Sequence, residues 1–412
     1  MSQTDLALSV PVPSTPAPRA ALASLGGQGP WTRLLLSMLL RLRAGTLDLT
    51  LPDGRCLRLQ GVAPGPRADL TLRRDRAARR MLLGGGVGFG ESHGDGDWDS
   101  GDIAALVRLL LANEAVVRGA SWLARPLGFA DRLVHLSRAN TRRGSRRNIA
   151  AHYDLGNAFY SLWLDPGMTY SSALFASPDQ TLEAGQAAKY ARVAELAGLR
   201  PGQTVLEIGC GWGGMLETAA DLGCQATGLT LSTEQKAWAE RRLGGRAEVR
   251  LQDYRDVTGR FDRIVSIEMI EAVGEAHWPT YFRTLADRLA PGGVAVLQAI
   301  TIAEDRYPAY RRRADFIQRH VFPGGMLPTP SIIAGQAAAA GLRLSHQETF
   351  GPSYARTLDL WADRFRAAWP EIAPLGFDER FRRLWEMYLG YCSGGFSAGT
   401  IDVGFYRLDK VG

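Results

Sequence analysis

The stretch VLEIGCGWGG at 205–214 constrains this chain more than any other. An apolar run enters a cluster of glycines, and a helical pattern follows at once. Glycines at such a junction let the backbone take left-handed dihedrals and approach a ligand at the carboxyl end of a strand. Around it, apolar segments at 205–208, 225–229, 248–251, 264–267 and 294–300 alternate with helical ones, the first at 181–197. Alternation of this length predicts an α/β fold, a doubly wound (Rossmann-like) sheet of parallel strands. The chain has 412 residues, too many for one ordinary domain, and a smaller N-terminal α+β domain is expected before it.

A GxGxG turn alone is weak, since dinucleotide enzymes and mere packing turns share its glycines. Here the spacing differs from the GxGxxG of the dinucleotide fingerprint. Glu207 stands two residues before Gly209, with Gly211 and Gly213 following. After the second strand come Thr230, Ser232 and Gln235, where an enzyme for nicotinamide dinucleotides usually places an acid on the ribose. After the third come Asp253 and Tyr254, a carboxylate suited to an exocyclic amine and a ring suited to stacking on adenine. Together these features resemble the S-adenosyl-L-methionine-dependent methyltransferases, which implies a class I methyltransferase domain.

Further motifs narrow the likeness. GFGESHGDGDWDSGDI (88–103), NIAAHYDLGNAFYSLWLDPGMTYSSALF (148–175), GLTLSTEQ (228–235), IVSIEMIEAVG (264–274), HVFPGGMLPTP (320–330) and YCSGGFSAGTIDVGFYRL (391–408) occur in order. The chain resembles the cyclopropane-fatty-acyl-phospholipid synthase and mycolic acid methyltransferase family from residue 88 to its end. The likeness implies that a one-carbon unit passes from S-adenosyl-L-methionine to the cis double bond of a phospholipid acyl chain. A cyclopropane ring would form through a carbocation deprotonated by a bound bicarbonate ion. It places the cofactor on Tyr170, Ser171, Gly209, Gly211, Gly213, Thr230, Gln235 and Tyr254, and the bicarbonate on Ser172, Glu271, Gln298, Ile300 and Tyr354. Cys392 matches a cysteine associated with activity in the family. Tyr170, Phe175 and Tyr354 are candidates to face the cation, and Glu271→Gln is expected to abolish turnover.

Departures from the family pattern qualify the product. Ser172 stands where the cyclopropane enzymes commonly have Cys, and Ala272 and Gln298 where they have His. The loss of two imidazoles changes proton handling. Ring formation is the first expectation, with methylation or methylenation without ring closure, as in branched or furan fatty acids, as the alternative. A small-molecule N-methyltransferase, a lipid-binding protein with a vestigial cofactor site and a nucleic-acid methyltransferase are the competing classes.

Charge bears on the last of these. Residues 1–147 hold 21 Lys and Arg against 12 Asp and Glu, a net of +9, whereas residues 148–412 hold 27 against 30, a net of −3. A nucleic-acid enzyme would spread positive charge around its active-site mouth, so no nucleic acid is expected. The expected partners are phospholipid acyl chains at an anionic membrane surface, with a homodimer left open. Residues 1–30, rich in Pro, Ala, Ser and Gly, read as a disordered lead-in. Residues 31–137 read as a basic docking domain and 138–412 as the catalytic domain. Within the former, a helix at 31–43, a hairpin around Asp53-Gly54, a strand at 68–72, a basic helix at 73–83, a glycine-rich turn at 84–90 and a helix at 103–113 are expected. The four cysteines and six histidines are scattered, so neither a disulfide framework nor a metal site is expected. No signal peptide and no bilayer-length apolar run is evident. A cytoplasmic protein resting on the inner face of the membrane is the expectation.

Overall fold

The computed structural model describes residues 8–11, 27–118, 155–312 and 314–411. The chain divides into two units, residues 1–133 with 376–398, and residues 134–375 with 399–412. The expected catalytic span, 138–412, thus gives up residues 376–398 to the N-terminal unit. The expected boundary at 137–138 and the first residues of the 148–175 motif lie outside the described residues, as does most of the predicted lead-in.

The N-terminal unit carries a sheet of order β1-β3-β2-β4-β5. Its strands are β1 (Leu8–Pro11), β2 (Ala44–Thr50), β3 (Cys56–Gln60), β4 (Ala63–Leu72) and β5 (Trp98–Asp99). β2 and β3 form the expected hairpin, with Leu47, Leu49 and Leu59 buried by their period-two alternation. A strand at 8–11, parallel to β3, stands where a disordered lead-in was expected. The expected glycine-rich turn is helical instead. One helical run, Asp75–Gly94, continues through it and breaks only at Gly85, where φ is +53° and ψ is −138°. A β-carbon on Gly88 would lie 2.0 Å from the carbonyl oxygen of Arg80. These glycines therefore permit a kink and a close backbone approach rather than ending the helix.

Helix Glu379–Ser397 joins this unit because small residues let it approach helix Ile103–Ala112. Added β-carbons on Gly390 and Gly394 would meet those of Ile103 and Val107 at 2.8 and 2.6 Å. Arg383 on the same helix donates to the carbonyl oxygens of His93 and Trp98 and to Asp99 Oδ1. Many of the arginines in the basic stretch pair locally: Arg74 and Arg76 with Asp97, Arg80 with Asp95, Arg73 with Asp99.

The second unit carries a seven-stranded sheet of order β11-β12-β10-β9-β6-β7-β8. The strands are β6 (Thr204–Ile208), β7 (Gln225–Thr230), β8 (Glu248–Leu251), β9 (Phe261–Ile267), β10 (Leu289–Ile302), β11 (Leu342–Thr349) and β12 (Ile401–Lys410). Neighbours from β10 to β8 are parallel, as expected. β11 and β12 add an antiparallel edge beyond the parallel strands. β6 lies between β7 and β9, so the chain order reverses there and a crevice opens at its carboxyl end.

Among the described residues, no helix is long and apolar enough to cross a membrane.

Candidate active site

The crevice at the end of β6 is built by its glycines. Gly209, Gly211 and Gly213 take φ of +81°, +51° and +86°. The N–H groups of Gly209 and Cys210 both donate to the carbonyl oxygen of Leu229, turning the chain sharply out of the strand. A β-carbon on Gly209 would meet Met269 at 2.9 Å, whereas one on Gly211 would meet nothing within 4 Å. Gly209 thus serves a tight turn, and Gly211 faces open space.

Of the residues expected to bind the cofactor, Tyr170, Ser171, Glu207, Gly209, Gly211, Thr230, Gln235 and Tyr254 line one pocket there. The other three do structural work beside it. Gly213 caps helix Gly214–Asp221, and the Ser232 side chain caps helix Thr233–Leu243. The carboxylate of Asp253 is held by Arg255, at 2.6 Å, and accepts from the Arg255 N–H. Tyr254 alone of that pair lines the pocket.

Two features fit a cationic, amine-bearing cofactor. Glu207 is buried in the pocket lining, and its Oε2 has no hydrogen-bond partner. Burial pushes its carboxyl up to about 8, against the opposing pull of Lys189. A donor with positive charge would satisfy that oxygen. Thr230 Oγ1 donates to Gln235 Oε1 at 2.9 Å, which commits the amide oxygen and leaves the Nε2 hydrogens to donate to an oxygen of the ligand.

Against this pocket stands a polar cluster that includes a residue the motif reading passed over. Glu268 follows the last residue of β9 with φ of +49°, a left-handed conformation uncommon for a side chain of this kind. Its N–H donates to the carbonyl oxygen of Gln298 on β10. Its buried carboxylate accepts from the Ser172 N–H at 2.8 Å, from Gln298 Nε2 at 2.6 Å and from the Tyr354 hydroxyl at 2.7 Å. Glu271 takes the Ile300 N–H on Oε1, and its Oε2 is buried without a partner. Burial, reinforced by the charge of Glu268, pushes Glu271 up to about 8. Glu268 is also pushed up by burial, but its three donors and the ammonium of Lys189 oppose the shift. Both carboxyls are thus raised by burial, and in Glu268 the Tyr354, Ser172 and Gln298 donors and the Lys189 ammonium favour the charged form against it.

Lys189, on helix Leu182–Ala197, is the second residue missed. It has no solvent exposure, donates to Ser171 Oγ at 2.7 Å and lies 4.4 Å from the Tyr190 ring centre. Burial lowers it to about 8, while Glu268, Asp165 and Glu207 hold its charge in place. An aromatic wall completes the surroundings. Tyr170 packs on Tyr160, Trp163 and Trp361, and Tyr354 meets Trp361 edge-on. Phe175 does not join it, because the Arg356 guanidinium covers its ring at 4.1 Å.

The structure therefore gathers Ser172, Glu271, Gln298, Ile300 and Tyr354, as expected. Cys392 belongs to the N-terminal unit, on helix Glu379–Ser397. The residues do not fit the bicarbonate that the sequence likeness implies. Four of its expected donors, Ser172 N–H, Gln298 Nε2, Tyr354 hydroxyl and Ile300 N–H, already serve Glu268 or Glu271.

The family model described as mycolic acid cyclopropane synthetase matches residues 140–405. The chain belongs to this family. It is 39% identical to the tuberculostearic acid methyltransferase UfaA1 of Mycobacterium tuberculosis, over 100% of this chain and 99% of that one. It is 36% identical to the cyclopropane-fatty-acyl-phospholipid synthase of Escherichia coli, over 84% of this chain and 88% of that one. The solved structure of mycolic acid cyclopropane synthase CmaA1 complexed with SAH and CTAB matches with 32% identity and a TM-score of 0.60, covering 64% of this chain and 98% of that one. As a member of the family, the protein is an S-adenosyl-L-methionine-dependent methyltransferase with the class I fold.

One pH prediction arises here. Glu271 has a folded-state pKa above that of an unfolded glutamate. Its stabilising contribution is full below about pH 4 and is lost as pH rises through about 8. Wild-type Tm should fall between about pH 6 and 9 by a few °C more than that of Glu271→Gln, which keeps the neutral form's shape. Parallel Tm curves in scanning calorimetry would contradict this assignment. The same reasoning revises the expectation that Glu271→Gln abolishes turnover: a glutamine mimics the protonated acid and should retain activity within about tenfold at neutral pH.

Proposed function

We propose that this methyltransferase adds a one-carbon unit to the cis double bond of unsaturated acyl chains in membrane phospholipids. The observation that carries the reading is the carboxyl group of Glu268, which lines the cofactor pocket and accepts from the Tyr354 hydroxyl, beside the wall of Tyr170, Trp361 and Tyr354. An alkene is a weak nucleophile that must be held dry and in line. Its alkylation leaves a carbocation, which aromatic faces stabilise and which then needs a proton acceptor. Bound S-adenosyl-L-methionine supplies the electrophilic methyl. The chain's own residues hold that cofactor (Glu207, Gly209, Gly211, Gln235), exclude water and receive the proton.

Ring closure and an open chain differ in where the C–H electrons go, into a new C–C bond or into a new double bond. The open-chain product, with one alkene retained, is the outcome favoured here. The relative matching the whole chain is named a tuberculostearic acid methyltransferase rather than a cyclopropane synthase. The displaced bicarbonate seat points the same way, since proton removal differs from that in the ring-forming enzymes. The N-terminal third, with its net of +9, would hold the catalytic unit on the anionic inner face of the membrane.

The test is expression in bacteria whose phospholipids carry cis-unsaturated chains, followed by mass spectrometry of fatty acid methyl esters. A gain of one methylene with an alkene retained is expected. The same gain with the alkene lost means ring closure. Unchanged lipids together with methylation of a soluble amine would replace the lipid reading altogether.

A further inference from the structure

We propose that Glu268 is the proton acceptor of this enzyme, a carboxylate built into the chain in place of a diffusible bicarbonate ion. The inference rests on the acyl-chain reading above and adds the identity of the base. Three observations converge on it. The carboxylate occupies the donors that the sequence likeness reserves for bicarbonate: Ser172 N–H and Gln298 Nε2 on Oε1, and the Tyr354 hydroxyl on Oε2. The residue also lines the cofactor pocket, which places it beside the reacting centre. Finally, its backbone is held at φ +49°, a left-handed conformation that a residue other than glycine keeps where the surroundings impose it.

The chemistry balances without a further reagent. The alkene π electrons form the new C–C bond to the cofactor methyl as the S–C bond breaks and the sulfide leaves with its electron pair. The cation left on the chain loses a proton to Glu268, and the C–H electrons make the new alkene. Glu268 then releases its proton to solvent in a later step. Burial raises the Glu268 carboxyl, while its three donors and the Lys189 ammonium favour its charged form, and Glu271 is raised to about 8. The other titratable groups near Glu271, Tyr281 and Tyr406, are themselves pushed above the ordinary tyrosine value and stay neutral.

The experiment measures turnover of purified protein on vesicles of cis-unsaturated phosphatidylglycerol, in buffer freed of carbon dioxide and again with added bicarbonate. Three forms are compared, with cofactor affinity and Tm measured for each. Wild type should be indifferent to bicarbonate. Glu268→Gln should lose about 100-fold or more in turnover while binding S-adenosyl-L-methionine within about threefold of wild type. Glu268→Gly suits the left-handed backbone and frees the three donors. It should be nearly inactive without bicarbonate and regain at least tenfold with it, a response that a merely structural role for Glu268 would not produce. A wild type that needs bicarbonate, or a Glu268→Gln variant within a few-fold of wild type, overturns the proposal and leaves the acyl-chain reading standing. A wild type that binds the cofactor yet alkylates no phospholipid overturns both.

Discussion

Lys189→Met is expected to lower the free energy of unfolding by about 3–5 kcal/mol, the usual cost of removing one partner from a buried ionic group. Tm should fall on the order of 10 °C. The methionine fills the space of the aliphatic stem, so lost packing is a small part of the effect. What disappears is the buried cation that faces Glu207, Glu268 and Asp165, and the donor to Ser171 Oγ. Without that cation nothing offsets the burial that already raises the Glu207 and Glu268 carboxyls, so the deficit should be larger at pH 8 than at pH 6. Calorimetry at both values checks the claim. A loss below about 1 kcal/mol at either pH would mean that the carboxyl groups are neutral without Lys189.

Gly209→Val should raise the dissociation constant for S-adenosyl-L-methionine about 100-fold or more, read by isothermal titration. The position needs φ of +81°, and a β-carbon there would lie 2.9 Å from Met269. A β-branched residue meets both penalties, so the turn must open and the pocket floor must move. Gly211→Ala is the contrast. Its added methyl meets no protein atom within 4 Å, so the affinity it loses reports contact with the cofactor and the left-handed backbone at φ +51° rather than a clash within the protein. Circular dichroism establishes that each variant is folded. Near-normal cofactor affinity in Gly209→Val would show that the ligand does not sit on this turn.

Much of the fold was legible because its signals are local. Strand, glycine turn and helix at 205–214 follow one another without a gap, and the apolar runs of β7, β9 and β10 are largely buried strands of a parallel sheet. The antiparallel edge was harder to see. In β11 the sequence LRLSHQET buries only Leu342 and half-buries every second residue after it, a weak pattern on a mostly polar segment. The kinked helix at 75–94 was masked by its glycines, which signal a turn equally well. Helix Glu379–Ser397 was assigned to the catalytic span by position along the chain, although Gly390 and Gly394 fit it to helix Ile103–Ala112.

The site divides in the same way. Residues of the glycine turn and of the strand ends were found because their spacing has a physical meaning. Lys189 was not, since a lysine in LEAGQAAKYARVAELA reads as a solvated position. Only the fold brings three acids from separate segments around it. Glu268 was visible in IVSIEMIEAVG as an acid one residue beyond a strand at the cofactor edge. Its partners, Ser172, Gln298 and Tyr354, are 96, 30 and 86 residues away, which hid its role. Two acids three residues apart at the end of the fourth strand were the available signal.

The most direct test of the account uses S-adenosyl-L-methionine carrying an isotopic label in its methyl group. Purified protein is incubated with vesicles of cis-unsaturated phospholipid, and the released acyl chains are analysed by mass spectrometry before and after ozonolysis. The account predicts label in the acyl chain, on carbon attached at the original double bond, in a product that ozonolysis still cleaves. Acyl chains without label, while the same protein binds the cofactor and transfers its methyl to another acceptor, would contradict it.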